Sequence, residues 1–159
     1  MNISRKVGIK APGFKLSDQN GEMHSLAEAK GSWVLVYFYP KDDTPGCTKE
    51  ACSIGELYPD FQKLDAVVFG ISVDSVKSHK KFEEKYSLPF TLLSDEKKEV
   101  VNAYGVWALK KMMGREYMGV VRTSFLIDPS GKIAKVYEKV KPEVHVEEVL
   151  RDLKELKNK

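Results

Sequence analysis

Apolar positions along this chain change their period several times, and each change marks an element. Two short stretches, residues 14–17 and 23–26, flank Asp18-Gln19-Asn20-Gly21, a turn signal that predicts an N-terminal β-hairpin. Residues 33–39 are apolar or aromatic without alternation, which predicts a central strand covered on both faces. From Cys47 the spacing turns helical. Cys47, Ala51, Ile54, Tyr58, Phe61 and Leu64 share one stripe, so a helix is expected to pack on that strand. Gly55 weakens this helix, and Pro59 offers no N–H to the Gly55 carbonyl. Pro59 is expected either to kink the helix or to begin a second one.

Residues 66–73 then predict a second buried strand, 75–86 a helix, 90–93 a third strand and 96–104 a further helical stretch. Residues 123–127 and 133–137 flank Asp128-Pro129-Ser130-Gly131, a hairpin signal, and Val146, Val149, Leu150, Leu153 and Leu156 mark a C-terminal amphipathic helix. The order β-α-β-α-β followed by β-β-α predicts an α/β fold with a mixed central sheet flanked by helices, compatible with a thioredoxin-like topology. No repeat or linker divides the chain. Residues 1–159 are therefore expected to form a single domain, long enough to bury a proper core.

Composition narrows the function classes. With 42% hydrophobic and 31% charged residues the chain reads as a soluble globular protein. A net charge of +3, spread over scattered lysines, reads as a solvated surface and gives no argument for nucleic acid. No apolar run approaches the ~20 residues of a membrane helix. The start, Met1 to Gly8, has basic residues with no apolar stretch behind them, so no signal peptide and a cytoplasmic location are expected. The two cysteines, Cys47 and Cys52, cannot complete a tetrahedral zinc site alone, and His24, His79 and His145 show no ligand spacing with them. In a reducing compartment a structural disulfide would be unusual. Redox chemistry or inert core thiols remain.

The strand-to-helix junction favours the first of these. Thr44 followed by Pro45 predicts a helix start, with Thr44 as N-cap and its hydroxyl near the N–H of Gly46 or Cys47. Cys47 then lies in the first turn, where unpaired N–H groups and the helix dipole favour a thiolate and can hold a small oxygen ligand. Gly46 would let such a ligand approach the backbone. The plainer alternative is a buried small hydrophobe on the apolar stripe. Residues five apart on a helix have Cα atoms roughly 8–9 Å apart and point ~140° away from each other. A disulfide needs Cα atoms within about 7 Å, so Cys47 and Cys52 cannot bond until the first turns unwind. Gly55 and Pro59 are expected to make that unwinding easier.

The run from Tyr39 to Cys52 contains Pro40-x-x-x-Thr44-x-x-Cys47, which resembles the peroxiredoxin active-site signature. The longer Tyr-Pro-Lys-Asp-Asp-Thr-Pro-Gly-Cys-Thr-Lys-Glu-Ala-Cys resembles the bacterioferritin comigratory protein, or PrxQ, subgroup. Ala11-Pro-Gly-Phe14, Gly70-Ile-Ser-Val-Asp74, Phe90 to Asp95 and Tyr117 to Asp128 extend the likeness over nearly the whole chain. The resemblance implies a peroxidase of the atypical two-cysteine kind. In it Cys47 attacks hydrogen peroxide or an organic hydroperoxide, Cys52 resolves the product into an intramolecular disulfide, and thioredoxin or a similar dithiol restores both thiols. It further implies that Thr44 hydrogen-bonds peroxide and thiolate, Pro40 shields the pocket from water, Arg122 is the active-site arginine and Glu50 supports it. No metal, haem or flavin is implied, and neither is an obligate oligomer; monomer and weak homodimer both stay open.

Other conspicuous residues read as structure. Met112, Met113 and Met118, with Trp107 and Tyr117, are expected in a loop packed beside the pocket, and the three histidines are expected to be plain polar or interfacial residues. Three rival functions remain on the residues alone: a thioredoxin-like disulfide oxidoreductase, which normally uses Cys-x-x-Cys, a redox-switch protein, and an inert domain with buried thiols.

Overall fold

A computed structural model describes residues 7–142 and 144–158; most of the N-terminal stretch read above for a signal peptide lies outside the described residues. The strands are β1 (Lys15–Asp18), β2 (Met23–Ser25), β3 (Trp33–Phe38), β4 (Ala66–Ser72), β5 (Thr91–Ser94), β6 (Trp107–Met112), β7 (Arg115–Val120), β8 (Thr123–Ile127) and β9 (Ile133–Glu138). The helices are α1 (Pro45–Lys63), α2 (Val76–Tyr86), α3 (Glu99–Ala103) and α4 (His145–Lys157). Seven strands form one mixed sheet in the order β2-β1-β5-β4-β3-β8-β9. Its centre is parallel, β3 with β4 and β4 with β5, while β8 runs antiparallel to β3. The predicted β1–β2 hairpin is present, with Leu16 opposite His24.

The unbroken apolar run of β3 is explained by its place in the middle. Leu35 and Tyr37 point into a core shared with Ala51, Ile54 and Phe61 of α1, Phe82 of α2, and Val146, Val149 and Leu153 of α4. Val34, Val36 and Phe38 point the other way, against Phe14, Leu26, Val101 and Tyr104. A strand with helices on one face and α3 plus the N-terminal segment on the other has no polar side to show. No helix among the described residues is long and apolar enough to cross a membrane.

α1 runs through Pro59 to Lys63, so no second helix begins there. Gly55 has a packing reason, since a Cβ there would stand 3.1 Å from Pro89 Cδ. The predicted 96–104 helix shrinks to Glu99–Ala103, because Asp95 Oδ2 accepts the Val101 N–H at 2.8 Å and fixes where the first turn can begin.

The segment expected as a packed loop is the separate hairpin β6–β7, turning at Met113 and Gly114 with φ of 53° and 79°. Two positive φ values in succession suit the twist of a tight hairpin. Trp107 and Val120 root it in the core, whereas Leu109, Met112, Met113, Tyr117 and Met118 are exposed. These methionines therefore do not pack beside Cys47.

Candidate active site

β3 ends at Phe38, and the chain passes through the half-buried Pro40 into α1. Thr44 has the extended backbone of an N-cap (φ −95°, ψ 154°), and Pro45 takes the first helical position. The first helical bond is donated by Thr48 N–H to Thr44 O, at 2.8 Å. The N–H groups of Gly46 and Cys47 precede it and lack a partner in the turn before. The Thr44 side chain departs from expectation. Its hydroxyl donates to the Lys41 carbonyl at 2.8 Å and accepts nothing from the first turn. Its lone pairs and those two N–H groups are thus both left to other partners.

Cys47 is buried, with 2% of its surface exposed. Arg122, between β7 and β8, reaches it because Thr123 pairs with Phe38 and brings the start of β8 beside the end of β3. Arg122 Nη2 donates to Cys47 Sγ at 3.3 Å, and Nη1 donates to Glu50 Oε1 at 2.9 Å. A Cβ on Gly46 would stand 3.0 Å from Arg122 Nη2. The space that the sequence reserved there for a ligand is filled by the guanidinium itself. Burial works against the Arg122 charge, but Cys47 and Glu50 outweigh it and hold the guanidinium firmly protonated.

Glu50 is fully buried, and its Oε2 has no partner. Burial pushes its carboxyl up to about 7, against the pull of Arg122. The folded chain therefore binds this proton more tightly than the unfolded one. Glu50's contribution to stability is full below its ordinary 4.5, falls as pH rises and is lost above about 7. The span corresponds to ~3 kcal/mol. Wild-type protein is accordingly expected to lose stability between about pH 5 and pH 8. Glu50→Gln is expected to flatten that decline, as denaturant titration at several pH values would reveal.

The loop carrying α1 is pinned to α2. Asp42 Oδ1 accepts from Tyr39 Oη at 2.5 Å, and Oδ2 accepts from Ser78 Oγ at 2.8 Å. His79 Nδ1 lies 2.7 Å from the same Oδ2, while Nε2 faces the Leu93 carbonyl at 2.9 Å. That carbonyl can only accept, so Nε2 carries a proton. Asp42 N–H donates to Asp74 Oδ2 at 2.9 Å. Asp43, at φ 57°, accepts from Lys85 Nζ at 2.8 Å and Tyr86 Oη at 2.5 Å. Asp42, Asp74 and His79 converge within 4.8 Å, a grouping of metal-ligand types that linear spacing gave no sign of. Each is already engaged by protein groups.

His145 is likewise buried, with Nε2 2.8 Å from Ser124 Oγ; burial first, and then Arg122, lower it to about 4. His79 and His145 are therefore interior anchors rather than plain polar residues, whereas His24 is half-buried and bonded to Asp18 and Glu28. Tyr37, which no local motif marks, lies in the same core as Cys47. Tyr37 is held well above its ordinary range by burial and then by Glu50 and Cys47.

Cys52 lies further along α1 and is exposed; partial desolvation and then Glu56 push its thiol up. Both thiols are free, on one intact helix. The structure thus brings Cys47, Glu50 and Arg122 into contact and sets Thr44 at the mouth of the same turn, with Pro40 half-buried just before it and Cys52 exposed further along α1.

Comparison with known proteins meets this geometry. Residues 7–136 match the AhpC/TSA family. Peroxiredoxin Bcp of Bacillus subtilis is 47% identical over 154 residues, 97% of this chain and 98% of its own. A putative peroxiredoxin bcp of Coxiella burnetii is 53% identical over 148 residues, 93% of this chain and 98% of its own. The Xanthomonas campestris bacterioferritin comigratory protein superposes with a TM-score of 0.87 at 36% identity, over 94% of this chain and 98% of that one. With a thiol beside a guanidinium at a helix start on a thioredoxin-like sheet, the chain belongs to the AhpC/TSA family, as a thiol peroxidase of the peroxiredoxin kind.

Proposed function

We propose that the chain reduces hydrogen peroxide and organic hydroperoxides through Cys47, by the atypical two-cysteine route. The contact between Cys47 Sγ and Arg122 Nη2, 3.3 Å at the open end of α1, carries this reading. The thiolate attacks one peroxide oxygen in line. An S–O bond forms as the O–O bond breaks, and the departing oxygen takes up a proton as water or alcohol. Arg122 stabilises the thiolate and the charge moving to the departing oxygen. The free lone pairs of the Thr44 hydroxyl suit a peroxide O–H, and the N–H groups of the first turn suit a peroxide oxygen. Pro40 covers the pocket against water, and Glu50 holds Arg122 in place.

The first turns of α1 then unwind, and the Cys52 thiol condenses with the Cys47 sulfenic acid to give a disulfide and water. A dithiol reductant of the thioredoxin kind reduces that disulfide by exchange in the cytoplasm. The route needs neither a partner subunit nor a cofactor, so a monomer or weak homodimer suffices. The Xanthomonas campestris relative has alkyl peroxide reduction activity, which supports the organic branch.

Mass spectrometry on reduced protein after one equivalent of peroxide tests the route. Wild type is expected to lose the mass of two hydrogens, with the Cys47 and Cys52 peptides joined. Cys52→Ser is expected to stop with added oxygen on Cys47. A wild-type product linked between chains, or oxidised at Cys52 alone, would rule the intramolecular route out.

A further inference from the structure

One peptide group in the turn between β3 and α1 is gripped at both ends. The Thr44 hydroxyl donates to the Lys41 carbonyl at 2.8 Å, and the Asp42 N–H of that same peptide unit donates to Asp74 Oδ2 at 2.9 Å. A peptide unit is planar, so fixing its N–H fixes where its carbonyl points. Asp74, just past β4, therefore sets the direction of the Thr44 hydroxyl through the peptide between them.

Asp74 is itself held. Its Oδ2 also accepts from Ser72 Oγ at 2.7 Å, and its carbonyl accepts from Ser94 Oγ of β5 at 2.5 Å. The Asp42 side chain anchors the same residue a second time. It accepts from Tyr39 Oη, just past β3, and from Ser78 Oγ of α2, and it meets His79 Nδ1. Two lone pairs would not meet at 2.7 Å, so one proton lies between Nδ1 and Oδ2 and the Asp42–His79 pair is neutral overall. Tyr39, Asp42 and His79 are buried, and the Phe82 ring of α2 lies 6.3 Å from that of Tyr39. Buried and mutually bonded, these groups hold the turn in a single geometry.

We infer that Asp74 and His79 are positioning residues of the peroxide reaction: they clamp Asp42, and through the Lys41–Asp42 peptide they aim the Thr44 hydroxyl at the peroxide. The inference rests on the proposed role of Thr44 as the partner of the peroxide O–H. It gives the Gly70-Ile-Ser-Val-Asp74 stretch a part in the chemistry, reached through the parallel pairing of β4 with β3. Arg122, by contrast, comes to Cys47 from the start of β8, on the opposite side of β3. The clamp and the guanidinium therefore act separately. Peroxide needs the aimed hydroxyl, whereas an alkylating reagent needs only the thiolate.

The experiment uses the full chain in a Cys52→Ser background. It compares Asp74→Ala, Asp74→Asn, which keeps an acceptor oxygen, and His79→Gln, each with Thr44 intact and with Thr44→Val. Two second-order rates are read at one pH, with hydrogen peroxide and with iodoacetamide. Asp74→Ala and His79→Gln are expected to slow the peroxide reaction roughly 10- to 100-fold and to leave alkylation within about threefold of the parent. Asp74→Asn is expected to recover most of the peroxide rate. On the slower Thr44→Val chain neither substitution should cause a further loss, since the group they aim is gone. A parental peroxide rate in Asp74→Ala overturns the inference, and so does a full further loss on the Thr44→Val chain. Peroxide and alkylation rates that fall together overturn it as well, because the thiol itself is then disturbed. If Asp74→Ala does not fold, His79→Gln decides by the same comparison. Thr44→Val at the parental rate would instead overturn the role of Thr44, a separately visible result.

Discussion

Replacing Cys47 with serine is expected to abolish rapid peroxide consumption, lowering the rate constant by roughly 10⁴-fold or more, with little change in stability. Serine is close to cysteine in size, and the site is buried among Tyr37, Tyr39, Ala51 and Ile54, so the fold has no cavity to absorb. What disappears is the nucleophile. A serine hydroxyl stays protonated near neutral pH, and the group in contact with it would be the Arg122 cation rather than a base. Glu50 Oε1 is occupied by Arg122 Nη1, and His145 is bonded to Ser124. Stopped-flow mixing with hydrogen peroxide would measure the loss directly. Cys52→Ser should keep the wild-type rate for its first turnover, because Cys52 is exposed further along α1 and takes no part in the Cys47–Arg122–Glu50 hydrogen bonds. A Cys47→Ser chain that reacts within tenfold of wild type would mean that another group attacks peroxide.

What could be read from the sequence depended on whether a residue's neighbours were local. The run of β3 announced its burial because both faces of a central strand need apolar side chains. Thr44, Pro45 and Cys47 announced a helix start with a thiol in its first turn. Arg122 and Glu50 were reached only through resemblance, since 72 residues separate them and no local pattern records that pairing. The Thr44 hydroxyl escaped because a cap and a bond back to Lys41 differ by one side-chain rotation. The β6–β7 hairpin escaped because Leu109 and Met118 on one face, and Met112 and Tyr117 on the other, are apolar together, so the strands show no alternation to read. The Asp42–His79 pair, 37 residues apart, became visible only when β4 and α2 were in place.

That pair also limits how the site can open. Asp42 and Asp43 tie the loop to α2 through Ser78, His79, Lys85 and Tyr86, immediately before α1 begins. On the proposed two-cysteine route, the unwinding that lets Cys52 meet Cys47 would therefore fall on α1 itself. Pro45 has no N–H to lose and the N–H groups of Gly46 and Cys47 make no helical bond, so the first turn has little backbone bonding to give up. Arg122 ties down that turn through its hydrogen bond to Cys47. On that route, oxidising the thiolate to a neutral sulfenic acid would weaken the charge that holds Arg122 there and so couple the chemical step to the opening.

Arg122→Met is therefore expected to act twice. The peroxide rate should fall by about 10²–10³-fold, the loss that follows removal of one fixed donor from developing negative charge. Stability should fall as well, because Glu50 is left buried with neither oxygen partnered. The cost is bounded by Glu50's own proton: below about 7 the carboxyl is already neutral, so the variant should be penalised least in acid and most in alkali. Arg122→Lys separates the two effects. It restores a charge but cannot reach Cys47 and Glu50 at once, as the fork of the guanidinium does at 3.3 Å and 2.9 Å. Its stability should recover more than its rate. Peroxide kinetics and denaturant titrations on both variants measure the two effects independently. An Arg122→Met chain within threefold of the wild-type rate would show that the helix start alone activates Cys47, and that the guanidinium serves mainly to neutralise Glu50.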